Sequence, residues 1–275
     1  MSNQPSHDTP ENWGAASRGY AEKVAPVMMR TFATTLVDRL HVDDTSDVLE
    51  VAAGSGALTE MLFPRVKSVL ATDFAPQMLD VLRERLATWG ANNVRCEVMD
   101  GQALDLADSS FDAAACSFGL MLFPERDKGF AELCRVVRPG GRVAISGWAG
   151  PDKFQTFELF LAALNAAFPD MPPPPEPPPV FRLANLDTFR AEMQAAGFQD
   201  VEVEFVARDL QLPDAAAMWT MLTVGAPPAQ ALIEGIGEDG KQRLEEQVHA
   251  VVAERFGNGP IELSNTATIG SGAAV

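Results

Sequence analysis

The stretch Val48 to Glu60, VLEVAAGSGALTE, constrains this chain more than any other. It reads as a buried strand (Val48, Leu49, Val51), a turn of small residues (Ala52 to Gly56) and the opening of a helix. Gly54 and Gly56 remove side chains where the chain turns sharply and where a ligand must approach the backbone. The turn is expected to feed the positive end of a helix, which suits a carboxylate or phosphate. A second apolar run, Val66 to Thr72, ends at Asp73, about one β-α-β unit later. An acid at that strand end is placed to accept ribose hydroxyls. In the dinucleotide fingerprint GxGxxG the third glycine would fall at Thr59, which argues against NAD or FAD.

Beyond this unit, strands and helices alternate. Trp13 to Leu40 carries two helical patterns expected to break near Pro26. Pro76 opens a helix with apolar spacing at Met78, Leu79, Leu82 and Leu86. Val94 to Met99 reads as a third strand and Ala113 to Phe118 as a fourth. Glu125 to Val137 is an amphipathic helix closed by Pro139-Gly140-Gly141, and Arg142 to Trp148 a fifth strand. Such alternation argues for a mostly parallel sheet covered on both faces. After Trp148 the rhythm breaks: a helix from Phe154 to Phe168, a proline run, PDMPPPPEPPP, and a helix from Leu186 to Ala196 stopped by Gly197. Asp200 to Val206 alternates as a strand, 207–260 reads as helical, and Ile261 to Gly270 as a last strand.

Charge and cysteine usage narrow the partners. A net charge of −17 with no basic stripe opposes a nucleic-acid backbone and an anionic membrane surface alike. Cys96, Cys116 and Cys134 lie in apolar runs and read as reduced core residues. Neither they nor His7, His41 and His249 have metal-ligand spacing, so no metal is expected. The polar N-terminus and the lack of an 18-residue apolar run lead to the expectation of a cytoplasmic protein without stable membrane insertion.

Taken together, the motifs resemble those of class I S-adenosylmethionine-dependent methyltransferases, most similarly the small-molecule group that includes the ubiquinone/menaquinone-biosynthesis C-methyltransferases. VLEVAAGSGALTE matches that family's first motif, LATDFAPQML its second, DGQALDLADSSFD its third and fourth, and FAELCRVVRPGGRVAIS the helix and strand that follow. The resemblance implies an α/β, Rossmann-like, doubly wound, mostly parallel seven-stranded sheet with helical cap insertions. It implies S-adenosyl-L-methionine as cofactor and a small molecule as methyl acceptor. Ala52, Ala53, Gly54, Ser55 and Gly56 would then pass the methionyl part, with Glu50 supporting the turn and Asp73 accepting the ribose hydroxyls. Phe74 and Met78 would flank adenine, Asp100, Gly101 and Gln102 would read its amino edge, and Ser117 and Phe118 would lie beside the sulfonium. Tyr20 matches a tyrosine that closes over the cofactor. The family's common cysteine before the first glycine is Ala53 here, and the long insertion between the last two strands departs from the quinone-pathway members.

Plainer readings stand beside these. Met78 also fits a helix core, Asp100 a turn, Tyr20 packing alone. Trp148, Phe154, Phe157 and Trp219 are candidates for an acceptor pocket, and also for the core of a cap. No catalytic base is assigned. Two other functions remain open from the residues: a non-catalytic S-adenosylmethionine-binding partner protein, and a nucleotide-dependent oxidoreductase. The expected organisation is a tail and cofactor-covering helices over 1–40, and a core over 41–206 and 261–275 with an inserted helix and Pro-rich loop at 151–185. A helical lid over 207–260 completes it, with hinges at Gly225 and Gly235 to Gly240.

Overall fold

The computed structural model describes residues 8–172, 178–225 and 227–275; part of the proline run and the first seven residues of the expected tail lie outside the described residues. Seven strands form one sheet: β1 (Asp47–Val51), β2 (Ser68–Asp73), β3 (Val94–Val98), β4 (Phe111–Ser117), β5 (Val137–Trp148), β6 (Gln199–Leu212) and β7 (Ile261–Ala273). Their order is β3-β2-β1-β4-β5-β7-β6. The pairs from β3 across to β5 are parallel, and β7 runs antiparallel between β5 and β6. This is the expected doubly wound, mostly parallel sheet. Val48, Leu49 and Val51 of β1 are fully buried, as a central strand covered on both faces requires. The winding reverses between β1 and β4, and in open α/β sheets that switch point opens a crevice at the carboxyl ends of the strands.

The helices in order are α1 (Pro10–Gly19), α2 (Arg30–Leu40), α3 (Thr59–Leu62), α4 (Pro76–Trp89), α5 (Arg126–Val136), α6 (Gln155–Ala167), α7 (Leu186–Ala195), α8 (Ala215–Gly225), α9 (Pro227–Gly235) and α10 (Gly237–Phe256). Their ends carry the expected signals. Thr9 caps α1 by accepting from the Asn12 N–H, Pro76 occupies the first turn of α4, and Gly90 ends it in the left-handed region.

Several expectations are corrected. Tyr20–Met29 is a π-helical segment joining α1 to α2, so the chain does not break at Pro26. Proline lacks the N–H that an α-helix uses and clashes with the carbonyl four residues back; the wider π turn accommodates it. Helix α1 begins at Pro10, ahead of the expected start at Trp13. Helix α3 is only four residues long, too short to present the anion site that the glycine turn suggested. Pro139-Gly140-Gly141 does not close α5; it sits within β5 where the register with β4 shifts, and Gly141 passes close to the Asp112 carbonyl. Strand β6 runs on to Leu212, so the helices of the insertion start only at Ala215.

Candidate functional site

At the switch point the turns after β1 and β4 meet. Ala52 and Phe118 both hold φ of 56°, in the left-handed region where a non-glycine side chain is strained. The turns interlock: a Cβ on Gly119 would lie 2.4 Å from that of Ala52. Behind them Glu50 is buried, and its Oε2 accepts from the Thr59 hydroxyl at 2.6 Å. That bond ties the end of β1 to the start of α3 across the glycine turn. Burial pushes the Glu50 carboxyl up to about 8, against the opposing effect of the Thr59 hydrogen bonds, so it is mainly neutral at pH 7. The position of the fingerprint's third glycine is thus taken by a hydroxyl with a partner of its own.

The two glycines of the turn differ. A Cβ at Gly56 would meet Leu82 Cδ1 at 2.4 Å, so its smallness serves packing on α4. At Gly54 the nearest atom to an added Cβ is Tyr20 Cε1 at 3.9 Å; the space there is a cavity. That cavity opens to solvent. Its walls come from the ends of β1 to β4, from α1 and from the π-helical segment: Trp13, Tyr20, Ala52, Gly54, Asp73 and Phe118 among them.

Asp73 is the buried acid of the site. Its Oδ2 accepts from the Gly54 N–H at 2.8 Å and its Oδ1 from the Ala75 N–H at 2.9 Å. Burial nevertheless outweighs these bonds and pushes its carboxyl up to about 6. The Tyr20 ring packs edge-on against Trp13 with centroids 5.7 Å apart, and burial and then the Asp73 charge hold its hydroxyl protonated. Helix α1 is held over the cavity from two sides. Arg18 pairs with Glu84 of α4, and Gly19 lies so close to α8 that its Cβ would be 2.8 Å from the Val224 carbonyl.

Of the sequence-predicted residues, Tyr20, Ala52, Gly54, Asp73, Phe74, Met78, Asp100, Gly101, Gln102, Ser117 and Phe118 line this one cavity. Glu50, Ala53, Ser55 and Gly56 stand behind it; the buried Ser55 hydroxyl has no hydrogen-bond partner. Met78 is both core and wall, 2% exposed. Asp100 behaves as a turn residue: its Oδ1 accepts from the Gln102 N–H and Nε2, while Gln102 Oε1 accepts from the Glu125 N–H. Gly101 is needed for packing against Phe123 and Val51, each 2.6 Å from a would-be Cβ. Sequence reasoning missed Asp8, Trp13, Met99, Gly119 and the Leu122–Pro124 wall. Only Gly119, directly after the fourth strand, carried a signal.

The proposed acceptor residues lie elsewhere. Phe118 reaches from the cavity wall into an aromatic stack, 4.3 Å from Trp148, which stacks on Phe154 at 4.4 Å. Phe154 and Phe157 both contact Phe181 edge-on, and Trp219 is buried on α8. The structure packs these rings together and leaves them out of the cavity lining.

Chemically the cavity is acidic. Asp8, Asp73 and Asp100 line it, and no lysine, arginine or histidine does among the described residues. No group of side chains suited to a metal ion occurs among the described residues. Aromatic faces, a glycine gap and the buried Asp73 carboxyl suit a nucleoside-bearing cation.

Comparison with known proteins gives the family. The family model described as a methyltransferase domain matches residues 48–141. Residues 48–141 thus carry a class I S-adenosylmethionine-dependent methyltransferase domain. The chain is distantly similar to the demethylmenaquinone methyltransferase of Deinococcus radiodurans, 39% identical over 108 residues, which are 38% of this chain and 44% of that one. It therefore spans less than half the length of that relative. Its fold matches the YcgJ protein of Bacillus subtilis with TM-score 0.58 at 17% identity, over 88% of this chain and 97% of that one. It also matches a Haemonchus contortus phosphoethanolamine N-methyltransferase, solved with phosphomonomethylethanolamine and S-adenosylhomocysteine, with TM-score 0.58 at 16% identity over 97% and 58% of the two chains. At such identities these two likenesses concern the fold alone. No helix is long and apolar enough to cross a membrane among the described residues.

Proposed function

We propose that the chain transfers a methyl group from S-adenosylmethionine to a small-molecule acceptor by in-line displacement. The observation that carries this reading is the single cavity in which the gap at Gly54, the buried Asp73 carboxyl and the strained Phe118 turn converge on the switch point. In this reading Asp73 accepts the ribose hydroxyls with its remaining lone pairs, a charge-assisted interaction. Phe74 and Met78 flank the adenine, with Asp100, Gly101 and Gln102 at its edge. The methionyl arm runs past Ala52, Ala53 and Gly54, and the unpartnered Ser55 hydroxyl and Gly56 complete the turn that Glu50 supports. Tyr20, Ser117 and Phe118 face the sulfur.

Once bound, the cofactor supplies a methyl already activated by positive sulfur. The protein's part is then to align the acceptor and exclude water. Helix α1 excludes water from above. The insertion that carries α8 to α10 packs on the π-helical segment behind Tyr20, which supports its role as a lid shaping the acceptor side. Residues 1–40 then serve as the cover, 41–206 with 261–275 as the core, and 207–260 as the cap. An apolar acceptor would meet Phe118 in the cavity wall, which Trp148 and Phe154 support from behind, while Phe157 and Trp219 stay in the packing.

Titration calorimetry with S-adenosylmethionine tests the cofactor half. Transfer of a labelled methyl to any member of an acceptor panel tests the enzyme half. Binding without transfer to any acceptor would favour a cofactor-binding partner protein instead.

A further inference from the structure

Resting on that cofactor reading, we infer that Arg85, a residue of α4 outside the cavity lining, is a positioning residue that holds the glycine turn in the shape the methionyl arm needs. The turn has little to hold it by itself. Gly54 and Gly56 have φ of 55° and 90°, and with no Cβ they offer no resistance to other conformations. Within the turn the Gly56 N–H donates to the Ala53 carbonyl at 3.0 Å, and the Gly54 N–H is held by Asp73. Ser55 stands between the two glycines, buried, with its hydroxyl unpartnered. Among the described residues it makes one hydrogen bond: its carbonyl accepts from Arg85 Nη1 at 2.9 Å.

Arg85 is fixed for that contact from several sides. It belongs to the face of α4 that also brings Leu82 against Gly56, one turn earlier on the helix. Its guanidinium lies 4.7 Å over the ring of Trp89, one turn later, and Trp89 stacks on Phe63 at 6.0 Å. Its Nη2 approaches Glu60 at 3.8 Å, and Glu60 also pairs with Arg30 of α2 at 3.2 Å. The side chain is only 25% exposed, and desolvation, ahead of the Glu60 charge, lowers its pKa from the ordinary arginine value. A charged donor in such partly dry surroundings binds a carbonyl more strongly than an exposed one. Lysine would supply the charge without the planar fork or the ring stacking.

The two ends of the cofactor feel this residue differently. The nucleoside end rests on Asp73, Phe74 and Met78, and Asp73 keeps a second anchor in the Ala75 N–H, which the turn does not disturb. The methionyl arm passes the turn itself. Without the Arg85 bond the Ser55 peptide is free to rotate between its glycines. The arm then finds the receptive turn populated only part of the time, and its affinity falls by that fraction. Arg85 thus acts on one part of the ligand, through the backbone and without touching it.

The test is calorimetry with three ligands: S-adenosylmethionine, S-adenosylhomocysteine and 5′-methylthioadenosine, which keeps the nucleoside and the sulfur and lacks the amino-acid arm. Arg85→Gln should weaken the first two about tenfold or more, as expected for loss of a hydrogen bond from a charged donor, and the third by less than about twofold. Arg85→Lys, which keeps a single charged donor, should recover part of the loss and show the same split between ligands. Unchanged binding of all three by Arg85→Gln overturns the inference. Equal weakening of all three overturns it as well, since a merely structural role would act on both ends of the ligand. Should Arg85→Gln fail to fold, Arg85→Lys decides by the same split, and its absence there overturns the inference. Failure of all three ligands to bind the wild type instead removes the cofactor reading, and this inference with it.

Discussion

Gly54 and Gly56 are two residues apart and answer to different demands, which single substitutions separate. Both have positive φ, so alanine costs about 1–2 kcal/mol of backbone strain at either site. At Gly56 the methyl also drives into Leu82, which is fully buried and has nowhere to go. Gly56→Ala should therefore lower the melting temperature more than Gly54→Ala. Gly54→Ala should remain folded and lose most of its S-adenosylmethionine binding, because its methyl projects into the cavity. Equal binding by Gly54→Ala and the wild type would show that the turn does not approach the ligand. Asp73 makes a second prediction, with a pH signature. Its folded pKa is raised to about 6 by burial, so its contribution to stability is full below the ordinary carboxylate value and is lost as pH rises through about 6. Asp73→Asn removes the buried charge but leaves the Gly54 or the Ala75 N–H facing an amide donor, so it should not stabilise the ligand-free protein at pH 7.5. It should also weaken cofactor binding by roughly 1.5–3 kcal/mol, the range for hydrogen bonds to a charged group. Ribose hydroxyls prefer the charged carboxylate, so wild-type affinity should fall below about pH 6 and that of Asp73→Asn should not. Parallel pH profiles would remove Asp73 from the ribose.

Among the elements, legibility followed the locality of the signal. The strand end at Asp73 and the proline start of α4 were readable because short-range patterning specifies them. The path from α1 to α2 was not. A proline in a helical pattern ordinarily signals a break, and only contacts with distant α4, α8 and β5 make a continuous helical path with a π segment worthwhile. For the same reason Trp13 was missed as a wall residue: its place depends on how α1 docks. The full extent of β6 was missed because its half-exposed residues pair only with β7, far along the chain. Helix α1 touches the cavity through Trp13 and the π-helical segment through Tyr20, and an exposed ion pair anchors α1 at its margin. Saturating S-adenosylmethionine should therefore slow amide exchange in residues 10–29, more than in α5 on the far side of the loop. Exchange in 10–29 unaffected by ligand would mean that the N-terminal helices do not cover it.

At the scale of the whole molecule, charge sets what the site can receive. The chain carries −17, and its cavity adds three carboxyls with no opposing cation among the described lining residues. An anionic acceptor must enter against both the long-range field and the local one, and would find no side chain there to neutralise it. An uncharged or cationic acceptor meets no such barrier, and Trp13, Phe74, Phe118 and Phe123 give it apolar wall. The fold neighbour solved with a phosphomonoester shows only that the fold accommodates such a ligand elsewhere; these walls lack the cations a phosphate requires. The prediction is read in kinetics. For any acceptor the enzyme methylates, adding a carboxylate or phosphate remote from the reacting atom should raise KM by about tenfold or more at low salt, with a smaller effect on kcat. At 1 M salt, where the Debye length is about 3 Å, the part of that penalty due to the molecule's field should disappear and the part due to the buried cavity should persist. An anionic acceptor that matches its neutral parent at both salt concentrations would mean that the acceptor does not pass these walls.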